Sequence, residues 1–255
     1  MKVEALMTCV GRSSFLGETL PANKEKFSNI IVVTTPSDYE TQKVCADNEV
    51  TCIQTSIFYK GGATFNKGAA LNEGLKHLTH NEWVVFTDCD IVFLNQHRFV
   101  FNDPKLNKEC LYGTSRIVLE TKKDYTNFVR DLAFNPDKID LKKMSNPTPT
   151  ELFVGFFQLI HTQSSIVKRI KSDVIHADDD SWNNIILPAV NGNKSYTRTL
   201  KASGELYPCF PTAGACDSLF RHFYYTEKAL VNINIPVLHL GVIGKGHKGV
   251  SRNFE

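Results

Sequence analysis

No stretch of this sequence approaches the roughly 20 consecutive apolar residues that a membrane-spanning helix requires. Apolar residues nevertheless make up 42% of the 255 positions, enough for a full core. Charge of one sign is not in excess either. A net charge of +2 leaves no footprint for nucleic acid, and the aromatics are not interleaved with a basic run. The seven cysteines are odd in number and scattered, with no Cys-x-x-Cys pair. Neither a disulfide framework nor a zinc site is indicated, and a reducing, cytoplasmic setting fits that usage. Met1-Lys2-Val3-Glu4-Ala5-Leu6-Met7 has a charge inside its apolar part and no cleavage pattern, so it reads as a first strand and not as a secretory leader. No internal repeat or low-complexity tract stands out.

The chain does contain a short apolar run, Val84 to Phe93, preceded by Trp83 and interrupted by Asp88-Cys89-Asp90. Val, Ile and Phe over so few residues read as a buried strand. Bare carboxylates in such a strand cost several kcal/mol each unless compensated, which places them at a strand end, on a cation or on strong donors. At the carboxyl end of a parallel strand they offer hard oxygen ligands to Mg²⁺ or Mn²⁺ and leave positions open for phosphate. A strand end with one capping and one solvated Asp is the plainer alternative.

Upstream, Glu4–Val10, Asn29–Thr35 and Val50–Thr55 read as strands, with a polar helix from Tyr39 to Asn48. Strands alternating with helices at this spacing predict a parallel sheet of βαβ units, with ligands outside the carboxyl ends of its strands. Val10 to Arg12, in a polar loop continuing through Ser13-Ser14, Thr34 to Asp38 and Asp88 to Asp90 fall at that edge. Before the Asp pair, Thr64 is the expected N-cap of a helix striped by Leu71, Leu75 and Leu78. Lys67 in its first turn would add a cation where free N–H groups already favour an anion, or would simply be solvated.

Lys67-Gly68-Ala69-Ala70-Leu71-Asn72-Glu73-Gly74-Leu75, followed by a strand ending in Asp88-Cys89-Asp90, resembles the donor-binding half of the GT-A glycosyltransferases. It is most similar to the inverting family of cellulose and chitin synthases and bacterial polysaccharide transferases. The resemblance covers roughly residues 1–95 and implies a GT-A, Rossmann-like α/β fold with a mostly parallel twisted sheet. It implies one domain over 1–255, with a nucleotide-binding half at 1–95 and an acceptor half with a phosphate-binding tail at 96–255. It also implies a nucleotide-sugar donor, UDP-linked, and Mn²⁺ or Mg²⁺ on Asp88 and Asp90. Donor contacts are expected from Thr8, Val10, Arg12, Thr35, Asp38, Lys67, Asn72 and Asp88. The family's acidic pair after the second strand is replaced here by Thr34-Thr35, with Asp38 as the substitute.

Past the Asp pair, residues 109–119 read as one or two strands, and Tyr125, Phe128, Val129 and Leu132 as a helical stripe. Residues 135–150 are polar and punctuated by prolines, and Phe153–His161 reads as another buried strand. Asp178-Asp179-Asp180 precede an apolar helical run, where they could cap the helix or supply a general base. The resemblance favours Asp178 as base with Asp179 as alternative; the Trp182 ring would stack on the carbohydrate acceptor or simply anchor the helix. His239, on the strand Ile235–Gly241, is implied as a third metal ligand, and Lys245 in the Gly-rich basic tail as a diphosphate contact. A retaining GT-A enzyme is the alternative within the fold, because Asp178–Asn183 also resembles an Asp-x-Asp-x-x-Asn pattern. A haloacid-dehalogenase-type phosphatase using Asp88-Cys89-Asp90, or a silent carbohydrate-binding protein, are the alternatives of other classes.

The acid cluster yields a direct test. With Asp178 or Asp179 as general base, its Asn variant loses about 10²–10⁴-fold in kcat while donor affinity stays put. A helix cap would instead cost about 1 kcal/mol or less and leave turnover intact. Transfer rates and melting temperatures of both single variants separate the two.

Overall fold

A computed structural model describes residues 2–80, 82–134, 156–172, 175–176, 199–200, 204–209, 213–241 and 254. The first half follows the expected alternation: β1 (Val3–Thr8), α1 (Ser13–Asn23), β2 (Asn29–Thr34), α2 (Tyr39–Asp47), β3 (Thr51–Gln54), α3 (Lys67–Leu75) and β4 (Trp83–Asp88). The second half holds β5 (Ile91–Val92), α4 (His97–Phe101), β6 (Leu111–Leu119), α5 (Lys122–Phe134), β7 (Phe157–His161), α6 (Ser165–Ser172), the paired short strands β8 (Ile175–His176) and β9 (Thr199–Leu200), α7 (Ala213–Thr226) and β10 (Leu230–Leu240).

Among the described residues, eight strands form one sheet in the order β3-β2-β1-β4-β7-β6-β10-β5. The first four run parallel, as βαβ connections require. Beyond β4 the sheet turns mixed: β7 is antiparallel to β4 and β6, β10 runs parallel to β6, and β5 closes the far edge antiparallel to β10. Both faces of the parallel half are covered. Leu6, Ile31, Val33, Val84 and Phe86 pack with Ala70 and Leu71 of α3 and with the apolar stripe Cys216, Leu219, Phe220, Phe223 and Tyr224 of α7. The alternate residues Val3, Ala5, Met7, Ile30, Val32 and Val85 face Leu16 and Leu20 of α1. Alternation along β1 thus serves two layers, and all six of its residues are buried.

Three expectations are corrected here. The apolar run 84–93 is two strands: β4, in the middle of the sheet, ends at Asp88, and Ile91-Val92 departs to the edge beyond β10. The polar loop after β1 stops at Arg12, because Ser13 already opens α1. Gly17 and Pro21 weaken that helix as a sequence signal, but Phe15, Leu16 and Leu20 are buried by it. The N-cap of α3 is Asn66 and not Thr64: the Asn66 side chain accepts the Ala69 N–H at 3.0 Å. Phe65 meanwhile packs its ring 5.0 Å from Phe58, which carries residue 64 away from the helix start.

Under β7, His97 is wholly buried beside Phe93, Phe101 and Phe157. Burial pushes its imidazole down to about 4, against partial compensation from the Leu94 and Ile235 carbonyls. A base whose folded pKa is depressed stabilises the fold above its unfolded value of 6.5 and loses that contribution as pH falls toward 4. The loss amounts to about 3 kcal/mol at most. Urea unfolding from pH 8 to 4 should show this slope in the wild type and a flatter one in His97→Phe.

Candidate functional site

Parallel pairing sets Thr8, the last residue of β1, opposite Asp88, the last residue of β4. Cys89 and Asp90 form the turn between β4 and β5. That turn is held by α1, which the sequence did not predict. Thr19 Oγ1 donates to the Cys89 carbonyl at 2.8 Å, Asn23 Nδ2 donates to the Ile91 carbonyl at 2.7 Å, and Asn23 Oδ1 accepts the Phe93 N–H at 2.9 Å. From the other side, the Leu240 N–H donates to the Asp90 carbonyl at 2.8 Å. The pairing of β10 with β5 places His239 opposite Ile91. So the two carboxylates sit on a backbone clamped by elements 70 and 150 residues away.

Each carboxylate has its own cation. The Lys67 ammonium donates to Asp88 Oδ1 at 2.8 Å and to Asp217 Oδ2, on α7, at 3.0 Å. Burial opposes charge on Lys67, yet Asp217 and Asp88 outweigh it and hold the ammonium well above the ordinary lysine value. Against its own burial, the Lys67 charge lowers the Asp88 carboxyl below the usual range. Arg12 Nη1 lies 3.1 Å from Asp90 Oδ2, and His239 Nε2 is 3.9 Å from the same oxygen. Burial raises the Asp90 carboxyl, partly offset by His239 and Arg12 and reinforced by Asp88.

Among the described residues, no three His, Cys, Asp or Glu side chains converge closely enough to hold an ion as they stand. The donor set nonetheless fits a hard divalent cation. Asp90 Oδ1 and His239 Nδ1 are buried and find no hydrogen-bond partner among the described residues, a costly state unless a ligand completes it. Two carboxylates and an imidazole are oxygen-rich chemistry suited to Mn²⁺ or Mg²⁺.

The loops after β1 and β2 are tied together by Asp38. Its Oδ2 accepts the Gly11 N–H at 2.8 Å and the Thr34 hydroxyl at 3.1 Å, while Oδ1 caps α2 through the Thr41 N–H at 3.2 Å. Gly11 adopts φ +63°, a turn conformation that a side chain would strain. Thr35 is buried, its hydroxyl 3.3 Å from that of Ser37, and Val10 is half-buried beside the same edge.

Asn72 is committed elsewhere. Its Nδ2 donates to the Tyr207 carbonyl and its Oδ1 accepts the Tyr207 N–H, both at 2.8 Å. One turn earlier, a methyl group at Gly68 would fall 1.9 Å from the Pro208 carbonyl oxygen. The α3 face therefore receives residues 205–209. Tyr207 in turn donates its hydroxyl to Asp217 Oδ1 at 2.6 Å, with Gln158 Oε1 also 2.5 Å away. Asp217 and Tyr207 escaped the sequence reading, although the stripe Cys216, Leu219, Phe220, Phe223 at helical spacing with an acid on its flank marks α7. Asp178, Asp179, Trp182 and Lys245 lie outside the described residues.

A parallel four-strand half carries an Asp-x-Asp turn at its carboxyl edge, and a mixed half brings a late strand back beside that turn, an α/β architecture of the GT-A type in which ligands sit outside the carboxyl ends of the strands. No protein-family model matches the sequence, and no curated protein matches it. Among solved structures, the chain is similar to glucosyl-3-phosphoglycerate synthase from Mycobacterium tuberculosis in complex with Mn²⁺, UDP and glucosyl-3-phosphoglycerate, with a TM-score of 0.50 and 10% identity over 93% of this chain and 71% of that one. The same enzyme with Mn²⁺, UDP-glucose and phosphoglyceric acid gives 0.50 and 11% over the same shares. A crystal structure described as a mycobacterial protein gives 0.52 and 10%, over 93% of this chain and 66% of that one. The chain thus spans about two thirds of the length of these structures, and the likeness is one of fold.

Asn72→Ala would leave the buried Tyr207 N–H unpaired and its carbonyl with only the Cys209 thiol at 3.6 Å, so it should destabilise the fold by about 1–3 kcal/mol. Denaturant unfolding measures this; a loss below about 0.5 kcal/mol would mean the 205–209 segment is not seated on α3.

Proposed function

We propose that the chain transfers a sugar from a nucleotide-sugar donor, UDP-linked, to a carbohydrate hydroxyl with the help of a divalent cation. The observation that carries this reading is the Asp88–Asp90 turn at the carboxyl edge of the sheet, with a buried Asp90 oxygen and a buried His239 nitrogen that find no hydrogen-bond partner among the described residues. Fold alone would not suffice, since this architecture hosts many chemistries. Asp88, Asp90 and His239 would hold the cation, which as a Lewis acid would neutralise charge building on the departing diphosphate. Arg12 and Lys67 stand beside the same carboxylates and supply fixed positive charge at the diphosphate position. Asp38, with Gly11, Thr34 and Thr35, shapes the rim where the base would lie, and Thr8 and Val10 end the strand beneath it.

In this reading, Asp178 or Asp179 deprotonates the acceptor hydroxyl, the acceptor lies against Trp182, the product is inverted, and Lys245 reaches the diphosphate from the tail. The solved neighbours support UDP and the metal, because the glucosyl-3-phosphoglycerate synthase structures hold both together. Three parallel strands precede β4 in the same sheet, which favours this reading over a phosphatase that begins with the Asp-x-Asp strand. Asp90→Asn keeps the size of the side chain but weakens it as a ligand for a hard cation. Calorimetry with UDP and Mn²⁺ should show the wild type binding and the variant losing at least tenfold in affinity. Equal affinity in the two would remove the metal assignment, and product stereochemistry by NMR decides inversion.

A further inference from the structure

We infer that Asp217, backed by Tyr207, is a positioning residue that shares the Lys67 ammonium with Asp88 and thereby keeps Asp88 available to a second cation. The geometry stands independently of the reaction, while the consequence for Asp88 rests on the donor-site reading above.

Lys67 is 5% exposed at the first position of α3, and its two carboxylate partners come from β4 and α7. If Lys67 had Asp88 alone, that carboxylate would be matched by one full charge at 2.8 Å and would compete poorly for an ion. Asp217 at 3.0 Å divides the ammonium between two acids. Both oxygens of Asp217 are spoken for, Oδ2 by Lys67 and Oδ1 by the Tyr207 hydroxyl at 2.6 Å, so it is poorly placed to act as a base itself.

The rest of the arrangement keeps Asp217 there. Gln158 on β7 donates through Nε2 to the Asp217 carbonyl at 3.1 Å, and the Tyr207 ring stacks on Phe220 with centroids 4.7 Å apart and packs against Phe86 at 4.8 Å. Residues 205–209 are themselves docked through Gly68 and Asn72 of α3. The Lys67-Gly68 and Asn72 positions thus act together as a seat for a late part of the chain, and that seat fixes the lysine.

The test has two arms on Asp217→Asn, Asp217→Glu and Tyr207→Phe. The first needs no ligand: reductive methylation of Lys67, followed by mass spectrometry against the exposed Lys43 as reference. Wild-type Lys67 should react slowly, and Asp217→Asn should speed it about tenfold, the worth of one charge-assisted hydrogen bond, with Asp217→Glu restoring protection. The second is calorimetry with UDP and Mn²⁺, where Asp217→Asn should weaken binding by a similar factor and Asp217→Glu should recover it. Unchanged affinity in folded Asp217→Asn, whatever its melting temperature, overturns the positioning role. Should Asp217→Asn fail to fold, Tyr207→Phe is read in its place, with a smaller effect of the same sign supporting the inference and none overturning it. If the wild type does not bind UDP with Mn²⁺, the donor reading falls, and the methylation arm alone decides whether Asp217 holds Lys67.

Discussion

Two carboxylates one residue apart cannot be held at a half-buried edge without nearby cations, because desolvation and mutual repulsion both oppose their charge. The organisation of the chain follows from meeting that demand at Asp88 and Asp90. Lys67 serves one and Arg12 the other. Such pairs are weak contributors to net stability, since desolvation consumes much of the Coulomb gain. Their worth lies in geometry: they aim two acids at the same edge, where among the described residues the remaining Asp90 oxygen and the His239 Nδ1 find no hydrogen-bond partner.

The helix α3 connects this edge to the rest of the molecule, and its glycines explain how it comes so close. A methyl group at Gly74 would lie 2.4 Å from Leu6 Cδ1, and one at Gly68 would lie against the Pro208 carbonyl. One glycine therefore lets the helix settle on β1, and the other lets residues 205–209 settle on the helix. Just before the first of them Lys67 points inward to its two acids, and between them Asn72 pairs with the Tyr207 backbone. A helix start that by itself would suit an anion becomes, in context, a joint between the parallel half of the sheet and residues 205–217.

Alpha helix α1 performs the matching service for the backbone. Thr19 and Asn23 satisfy the Cys89 and Ile91 carbonyls and the Phe93 N–H in a turn that leaves the middle of the sheet for its β5 edge. An irregular buried backbone needs such partners, because no ladder is available to pair its polar groups. Glu4 shows the same logic at the opposite end of β1, where its buried carboxylate accepts the Thr79 and His80 N–H groups at 2.8 Å each and fixes the approach to β4.

Much of the first half was legible in the sequence. Short Val- and Ile-rich runs, breakers such as Pro36 and Asp38, and helical spacing after Asn66 are local signals, and each element they imply is present, as is the common edge of β1, β2 and β4. The acid pair announced a strand end because a buried strand does not tolerate it. What the sequence could not show was who meets whom. Lys67 lies 150 residues from Asp217, Asn72 135 from Tyr207, and Arg12 78 from Asp90. The departure of Ile91-Val92 to the far edge, which sets β5 beside His239, depends on how a mixed sheet closes around strands that follow much later. Residue types and periods are short-range properties, so the sequence by itself determined the parallel half and its acidic edge. Charge pairing in a low-dielectric interior is settled by three-dimensional proximity, so only the tertiary structure decided that α3 binds carboxylates and a late segment of its own chain.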